Sequence, residues 1–243
     1  MRHIVFLLAM LMPAVMQAQA YAHLRLNDGH KTYPAVRSIC FAGSVPTLDT
    51  YNAIYGHGAV MESDWVAIRI YMDQRQSIDV YGKQRKQMEL SKTNFYTTDA
   101  DMQQGYGCDI LWAGASVAAG SFRGLIDGQP TYIDSGQWRE QEVLESGPER
   151  AVVEVRDRGW LYRGHSIDMT QRYTMRAGSR DVEVEVEMSG NTADDLFATG
   201  VQKLEMDNQG FIDRQRCTMG SWGSNVADKN LPSHICGVGL GIK

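Results

Sequence analysis

Residues 65–73 read WVAIRIYMD, and this stretch is the first indication that the chain folds into β-strands. Apolar side chains recur at every second position, at Val66, Ile68, Ile70 and Met72. Aromatic and charged side chains fill most of the positions between them. Because successive side chains of a β-strand point to opposite faces, the pattern predicts a half-buried strand with one face toward a core.

The same alternation recurs along the chain. Residues 77–82, SIDVYG, follow a QRQ break and predict a hairpin over 65–82. Residues 151–156 and 166–176 flank the turn-like sequence RGWLYRGH and predict a second strand pair. The stretch RDVEVEVEMSG, residues 180–190, alternates valine with acidic residues, and its acidic row is typical of a solvated outer face.

Helical patterns are scarce. Residues 98–104, TDADMQQ, offer a capping residue and an acidic first turn, which predicts a helix of about two turns. Chains rich in strands and poor in helices are usually sandwiches or barrels. No Pro- or Ser-rich linker interrupts residues 21–243. We therefore expect an all-β fold, a single large antiparallel β-sandwich with few short helices.

The first twenty residues predict a secretory signal peptide. They carry Arg2, an apolar run over 4–16 and a small-x-small triplet at 18–20. The run is too short for a transmembrane helix, and no later run is long enough to cross a bilayer. We expect cleavage before Tyr21 and export of residues 21–243 to the periplasm or the extracellular space.

Charge, cysteines and motifs narrow the class of protein. The formal net charge is −5 at pH 7, which argues against a nucleic-acid binder. Cys40, Cys108, Cys217 and Cys236 are compatible with one or two disulfides and equally with free thiols, because spacing does not fix a pairing. The sequence holds no GxSxG elbow, P-loop, dinucleotide-binding GxGxxG, HExxH or EF-hand loop. Serine-hydrolase, nucleotide-dependent and zincin functions are therefore unsupported.

Residues 199–210, TGVQKLEMDNQG, combine a β-like pattern with charged side chains. A lysine of lowered pKa can take a proton and a carboxylate can donate one, so Lys203 and Glu205 are candidate catalytic residues. Asp207 and Asn208 offer oxygen atoms that suit a sugar hydroxyl or a hard cation such as calcium. The alternative is that Lys203 and Glu205 form a surface salt bridge with no catalytic role.

His57 lies between two glycines in YGHGAVMESDW, residues 55–65. The glycines give the backbone the freedom to present an imidazole at a loop tip, and Glu62 and Asp64 are near in sequence. Such a histidine can shuttle protons or bind a metal. An ordinary loop histidine is the alternative.

The polar face of the first strand supplies candidate substrate-binding groups. Trp65, Arg69 and Tyr71 combine flat rings with a guanidinium, which suits stacking on a sugar and gripping a carboxylate. Arg75 extends this composition toward the second strand of the hairpin. Trp112, in the glycine-containing sequence DILWAGAS, is a further candidate saccharide platform. Ordinary cross-strand pairing on an exposed sheet is the alternative.

Three long segments carry a resemblance to a known family: TYNAIYGHGAVMESDWVAIRIYMDQRQSIDVYGK at 50–83, TNFYTTDADMQQGYGCDILWAGASVAAGSFRG at 93–124 and FATGVQKLEMDNQG at 197–210. They resemble a bacterial secreted family known as domain of unknown function 4861, over nearly all of the mature chain. Its members lie among polysaccharide-degradation genes, and some are joined to hydrolases of unsaturated uronyl sugars. The resemblance implies a role in breaking down acidic plant or algal polysaccharides, and it transfers no catalytic residues. Members are generally longer, and this chain stops at GVGLGIK in a strand-like stretch, so a missing final segment stays open.

Residue chemistry and resemblance together predict an exported carbohydrate-active protein that acts on an acidic, uronate-containing saccharide. Lyase, hydrolase and epimerase chemistry all stay open, on a fold that resembles the mutarotase-like domains of carbohydrate enzymes. His57, Lys203 and Glu205 are expected to handle protons, and the arginines and rings of the first hairpin to bind the sugar. A non-catalytic carbohydrate-binding module is the alternative, and an inert assembly domain with a large apolar patch is a third hypothesis.

Overall fold

The structure, a computed structural model, describes residues 18–114, 116–190, 194–224 and 238–242. For residues 205–208, 224 and 238–240 it describes the backbone alone. The described part is mostly β, with three short helices, α1 (Thr47–Asn52), α2 (Leu90–Thr93) and α3 (Asp99–Gln103). The prediction of an all-β chain with few short helices is confirmed at this level.

The described strands are, in chain order, β1 (Ala20–Arg25), β2 (Ala35–Val36), β3 (Ser38–Ala42), β4 (Gly58–Ser63), β5 (Val66–Tyr71), β6 (Ile78–Gly82), β7 (Cys108–Asp109), β8 (Arg123–Ile126), β9 (Gln129–Thr131), β10 (Ser135–Ser146), β11 (Arg150–Tyr162), β12 (His165–Arg176), β13 (Val182–Ser189), β14 (Phe197–Ala198), β15 (Glu205–Asp213), β16 (Thr218–Ser224) and β17 (Val238–Ile242). One sheet has the order β2-β1-β4-β5-β6-β7 and a second has the order β13-β12-β11-β10-β3. Two three-stranded sheets have the orders β14-β8-β9 and β15-β16-β17.

Both predicted strand pairs are confirmed. Strands β5 and β6 pair antiparallel, with Arg69 opposite Asp79. Strands β11 and β12 also pair antiparallel, but they extend into the sequence that was predicted to be a turn. Only Arg163 and Gly164 separate the two strands, and both have positive φ, 50° and 90°. A two-residue turn of that backbone geometry joins twisted strands directly, so the turn is shorter than predicted.

The two larger sheets share one hydrophobic core. From the first sheet it receives Ile68, Ile70 and Met72, in the alternation that the sequence predicted. From the second sheet it receives Val153 and Tyr173, among others. Each fully buried aliphatic side chain stabilises the fold by about 1.5–3 kcal/mol relative to exposure. This shared core fixes the position of β5 and β6.

The prediction that β5 is only half-buried is wrong, because its polar face is covered as well. Arg69, Tyr71 and Asp73 are buried. Leu90 of α2 and Phe95 after it, both in the connection between β6 and β7, pack on this face in one cluster with Ala67, and Tyr51 of α1 packs on Tyr71. Phe95 from this connection packs against the guanidinium of Arg69 at 4.7 Å. Strand β5 is therefore buried on both faces, with an apolar core on one side and a polar layer on the other.

Strand β13 lies at the edge of the five-stranded sheet, and the predicted acidic outer row is confirmed there. Glu183, Glu185 and Glu187 are exposed, while Val182 packs against the shared core. The predicted helix is also confirmed as α3, with Thr98 as its cap in a reciprocal arrangement with Asp101.

A buried polar network links the two larger sheets at the β5–β6 turn. Asp157 of β11 accepts hydrogen bonds from Gln76 Nε2 at 2.8 Å and from Arg139 Nε at 2.5 Å. Ser135 donates to the same carboxylate, and Arg139 also donates to the carbonyl of Met72 at 3.3 Å. The network fastens the turn that follows β5 to the second sheet.

Only the second half of residues 199–210, which were predicted to be β-like, forms a strand. Strand β15 begins at Glu205, while Val201 makes an isolated bridge with Ala119 and the exposed Lys203 precedes the strand.

Of the predicted signal peptide, residues 1–17 lie outside the described residues. In the described ranges no helix is long and apolar enough to span a membrane. Cys40 and Cys217 are exposed and form no disulfide, and Cys236 lies outside the described residues.

Candidate functional site

A polar cluster lies on the covered face of β5 and β6, next to the loop that carries His57. At its base the Arg69 guanidinium forms an ion pair with Asp79 and donates from Nη2 to Asp109 Oδ2 at 3.3 Å. Tyr71 donates its hydroxyl to Asp79 Oδ2 at 2.6 Å. Burial and the neighbouring Asp79 carboxylate raise the pKa of Tyr71, so its hydroxyl keeps its proton.

His57 has a fixed tautomer. Its Nδ1 lies 3.0 Å from the carbonyl oxygen of Tyr51, and a carbonyl only accepts, so Nδ1 carries the hydrogen. The other nitrogen, Nε2, is left with a lone pair. The Tyr51 ring stacks on the imidazole at a centroid distance of 3.7 Å and an angle of 5°. His57 is therefore held as an oriented base.

Burial lowers the pKa of His57, and the hydrogen bond to Tyr51 opposes this only in part. The cationic Arg69 and Arg75 nearby also favour the neutral imidazole. The ring is thus neutral near pH 7, which is the form that a general base needs.

The glycines beside His57 have separate roles. Gly56 and His57 both have left-handed φ values, 82° and 67°. Gly58 is in β4, where a Cβ would collide with the carbonyl oxygen of Ile70. The glycine at 56 permits the sharp turn and the one at 58 permits close pairing with β5.

Tyr96 faces the free nitrogen of His57. Its hydroxyl lies 3.3 Å from His57 Nε2, and its side chain is 48% exposed. Partial burial raises the pKa of Tyr96. The two preceding residues, Asn94 and Phe95, have φ values of 42° and 68°. Asn94 in this conformation is the C-cap of α2, whereas Phe95 and His57 itself are the less common cases, and non-glycine residues with such φ values cost energy and are frequent at functional sites.

Arg75 is the accessible cation of the cluster. Its guanidinium lies beside the ring pair of Tyr51 and Tyr71, 5.2 and 5.1 Å from their centroids. Asp73 accepts from Arg75 Nε at 2.8 Å and orients it. The Arg75 side chain is 28% exposed, against 6% for Arg69. Of the two predicted carboxylate-binding arginines, Arg75 is therefore the one a ligand can reach.

Tyrosine rings continue the cluster outward. Tyr55 lies 5.7 Å from Tyr96 between ring centroids, and Tyr33 stacks on Tyr55 at 3.6 Å. With Tyr51 they form a wall of flat rings beside His57. Such rings bury apolar surface at low conformational cost and can stack on the C–H face of a sugar.

The structure brings four of the sequence-predicted site residues together: His57, Arg69, Tyr71 and Arg75. Trp65 lies elsewhere, before the opposite end of β5, where Arg180 and Lys86 approach its ring at 4.0 and 5.4 Å.

Trp112 lies beside the segment that carries Lys203. Gln202, the neighbour of Lys203, donates from Nε2 to the carbonyl of Trp112 at 3.1 Å. Glu205, Asp207 and Asn208 are in β15, and their side chains lie outside the described part of the structure.

Sequence reasoning missed Tyr51, Tyr55 and Tyr96. The first two were signalled by their spacing, because they precede the Gly-His-Gly turn in TYNAIYGHG. Tyr96 lies 39 residues from His57 and gave no local signal. In the described ranges no group of three or more His, Cys, Asp and Glu is placed to hold a metal ion. The calcium hypothesis depended on Asp207 and Asn208, whose side chains are not described.

His23 supports the segment that carries Tyr96. Its Nε2 donates to Asn94 Oδ1 at 2.7 Å, and burial lowers the pKa of His23 to about 4. The unfolded chain, with a histidine pKa of about 6.5, binds a proton first as the pH falls. We therefore expect the free energy of unfolding to fall by about 3 kcal/mol between pH 6.5 and pH 4 through this residue.

Chemical denaturation at several pH values, with His23→Gln beside the parent chain, measures that contribution. The parent curve should fall more steeply than that of His23→Gln across this range. Replacing the exposed His30 by glutamine serves as the control. Parallel curves for the parent and His23→Gln would show that His23 is not held neutral.

The comparisons with known proteins gave one family. The model of the family described as Domain of unknown function (DUF4861) matches residues 8–242. No curated protein and no solved structure matches the chain.

Proposed function

The chain belongs to the DUF4861 family, and we propose that it is a carbohydrate-active enzyme that removes the proton next to the carboxylate of a uronic acid. The observation that supports this most is the neutral, oriented His57, whose unprotonated Nε2 lies 3.3 Å from the Tyr96 hydroxyl. A base, an acid and an accessible guanidinium are the three groups that this reaction requires.

In the proposed reaction Arg75 binds the uronate carboxylate. This pairing stabilises the negative charge that develops when the neighbouring carbon loses its proton. His57 Nε2 takes that proton as the C–H bond breaks. The electron pair forms the new C=C bond and the C–O bond to the leaving sugar breaks.

Tyr96 donates its hydroxyl proton to the departing oxygen. This step leaves an imidazolium and a phenolate, and a proton transfer between His57 and Tyr96 restores both groups. Because base and acid are neighbours, they serve the same face of the sugar, which favours elimination. Return of the proton to the same face of the carbon would restore the starting sugar, and an epimer would form only if a proton reached the opposite face, so epimerisation stays the variant of this reaction that needs a second proton donor.

Hydrolysis is less well supported by this cluster. Glycoside hydrolases generally need two carboxyl groups, one acting as acid and one as base or nucleophile. The nearest carboxylates, Asp73 and Asp79, are paired with Arg75 and Arg69. Both carboxylates are thus occupied by arginine side chains of the cluster, which leaves neither in position to serve as the acid or the nucleophile of a hydrolase.

The fold type and the cellular location of the chain are also proposed here. We propose that the shared core of the two larger sheets makes residues 21–243 a β-sandwich of the mutarotase-like type. The signal-like residues 1–20 support export to the periplasm or the extracellular space. Fold likeness alone assigns no reaction, so the reaction depends on the His57 cluster.

A carbohydrate-binding module is the second candidate. The row formed by Tyr33, Tyr55 and the exposed Tyr96 would suit saccharide binding without any chemistry. The two candidates differ in whether a product appears.

One assay separates these candidates. The purified chain is incubated with a panel of uronate oligosaccharides, and the ultraviolet absorbance of a new unsaturated bond and the number of reducing ends are both followed. We expect the two signals to rise together. Reducing ends without unsaturation would show a hydrolase, and binding by calorimetry without any product would show a module.

The pH dependence of kcat/KM should reflect both proton-transfer groups. His57 must be neutral to act as a base, and its pKa lies below the ordinary value of about 6.5, so activity should fall only below that pH. Tyr96 must be protonated, and its raised pKa places the alkaline fall above about 10. A pH–rate profile measures both limits. An acidic limit at or above the ordinary histidine value would contradict the role of His57.

A further inference from the structure

A second group of exposed rings lies on the sheet β15-β16-β17. Phe211 and Trp222 are 60% and 54% exposed. Phe211 pairs with Gly220, and Trp222 pairs with Gln209, two residues before Phe211. Directly paired residues lie on the same face of a sheet, and so do residues two apart on a strand. Both rings therefore project from one face.

Glycines form the floor beside these rings, where Gly241 is exposed and Gly220 is buried. Gly220 pairs with Gly241 on the next strand, and Trp222 pairs with Gly239. Each ring thus has side-chain-free positions next to it across the sheet. A hollow of about 500 Å³ lies here, and Gln209 contributes an amide to its lining. A flat ligand can approach the backbone closely over such a floor.

The opposite face of the sheet turns toward the protein at Ser221, while nearer the β15–β16 turn the same face carries Ile212, which is 69% exposed. Ser221, between Gly220 and Trp222, accepts a hydrogen bond from the backbone of the buried Leu204 at 3.3 Å. Leu204 belongs to a hydrophobic cluster with Leu111 and Ala118. The face with the rings is consequently the outer one.

Two arginines lie at one end of this face. Arg214 and Arg216 are in the turn between β15 and β16, and both are exposed. Arg216 pairs with Asp213 at 3.0 Å, yet its side chain remains 82% exposed. Guanidinium groups bind carboxylates through paired hydrogen bonds. The positive charge here contrasts with the formal net charge of −5 for the whole chain.

We propose that this face, the aromatic platform formed by Phe211, Trp222 and the glycines between them, binds an acidic polysaccharide chain. Sugar rings stack on the two aromatic side chains over the glycine floor. Carboxylates of the same chain meet Arg214 and Arg216. The platform is separate from the His57 cluster and would hold the polymer without acting on it.

Affinity electrophoresis in gels that contain polygalacturonate or alginate tests this proposal. All variants carry His57→Ala, so that no polymer is consumed during the run. Adding Trp222→Ala or Phe211→Ala should weaken retention about tenfold or more, because exposed aromatic anchors commonly contribute this much to binding. Leu161→Ala, which removes another exposed apolar side chain on β11, is the matched control. The double substitution of Arg214 and Arg216 by alanine should weaken retention and reduce its salt dependence.

Three results would overturn the proposal. Unchanged retention of both aromatic variants would exclude stacking at the platform. Equal retention in a gel of neutral galactomannan would exclude recognition of carboxylates. A parent chain that is dimeric by size-exclusion chromatography, but monomeric after Trp222→Ala, would assign the platform to self-association. The readout is binding of polymer, so it stays valid whether or not the His57 cluster is catalytic.

Discussion

Replacing His57 by alanine is expected to lower kcat/KM on uronate oligosaccharides by roughly 10²–10⁴-fold, the usual contribution of a general base. The variant lacks the nitrogen that takes the proton, while Arg75 and the tyrosine wall remain to bind the sugar. The loss should therefore be mainly in kcat, with KM changed little. Initial rates of absorbance increase over a range of substrate concentrations measure both parameters.

Tyr96→Phe sharpens this prediction, because it removes the acid and keeps the ring. We expect a similar loss in kcat, whereas Tyr106→Phe on the same connection should leave kcat unchanged. His30→Ala controls for loss of an exposed imidazole. If His57→Ala and Tyr96→Phe both kept the parent rate, the reaction would not occur at this cluster.

Replacing Asp157 by alanine is expected to destabilise the fold by about 3–5 kcal/mol. The substitution leaves the buried cation of Arg139 without its carboxylate and removes the acceptor of Gln76. Domains are stable by only about 5–15 kcal/mol, so this loss would be a large part of the total. Denaturant unfolding followed by circular dichroism measures the free energy of unfolding.

The exposed Asp181 offers the matched control. Asp181→Ala should change stability by less than about 0.5 kcal/mol, because a surface substitution removes no buried partner. The network also fastens the turn that precedes β6, so any folded Asp157→Ala protein should show a raised KM through movement of Arg75. Equal stabilities of the two variants would mean that the network contributes little to the fold.

The sequence was most informative where one face of a strand is apolar. Alternation in WVAIRIYMD and VEVEVEM predicted β5 and β13 and the faces of each. The side-chain period of two carries that information locally, so no distant contact is needed to find it. The same pattern could not show that the polar face of β5 is also covered. That depends on α1, α2 and Phe95, which contact β5 from residues that are distant in the chain.

The candidate site was partly predictable for the same reason. His57 directly precedes β4, and Arg69, Tyr71 and Arg75 lie in β5 and the turn after it, so consecutive paired strands bring the four residues together. Tyr96 arrives from the connection after β6, and its approach to His57 depends on tertiary packing. Lys203 has a side chain suited to proton transfer, but it precedes β15, which begins at Glu205. Pairing residues by chemistry alone cannot tell which strands meet.

Proton exchange in D2O shows directly whether His57 removes the hydrogen next to the carboxylate. A uronate oligosaccharide is incubated with the parent chain, with His57→Ala and with Tyr96→Phe, and the hydrogen on the carbon next to the carboxylate is followed by NMR. We predict that the parent chain removes this hydrogen, by elimination or by exchange with deuterium, and that His57→Ala does so at least about 10²-fold more slowly. If the parent chain and His57→Ala lost this hydrogen equally fast, His57 would not be the base. If product formed with this hydrogen in place, the reaction would not begin with its removal.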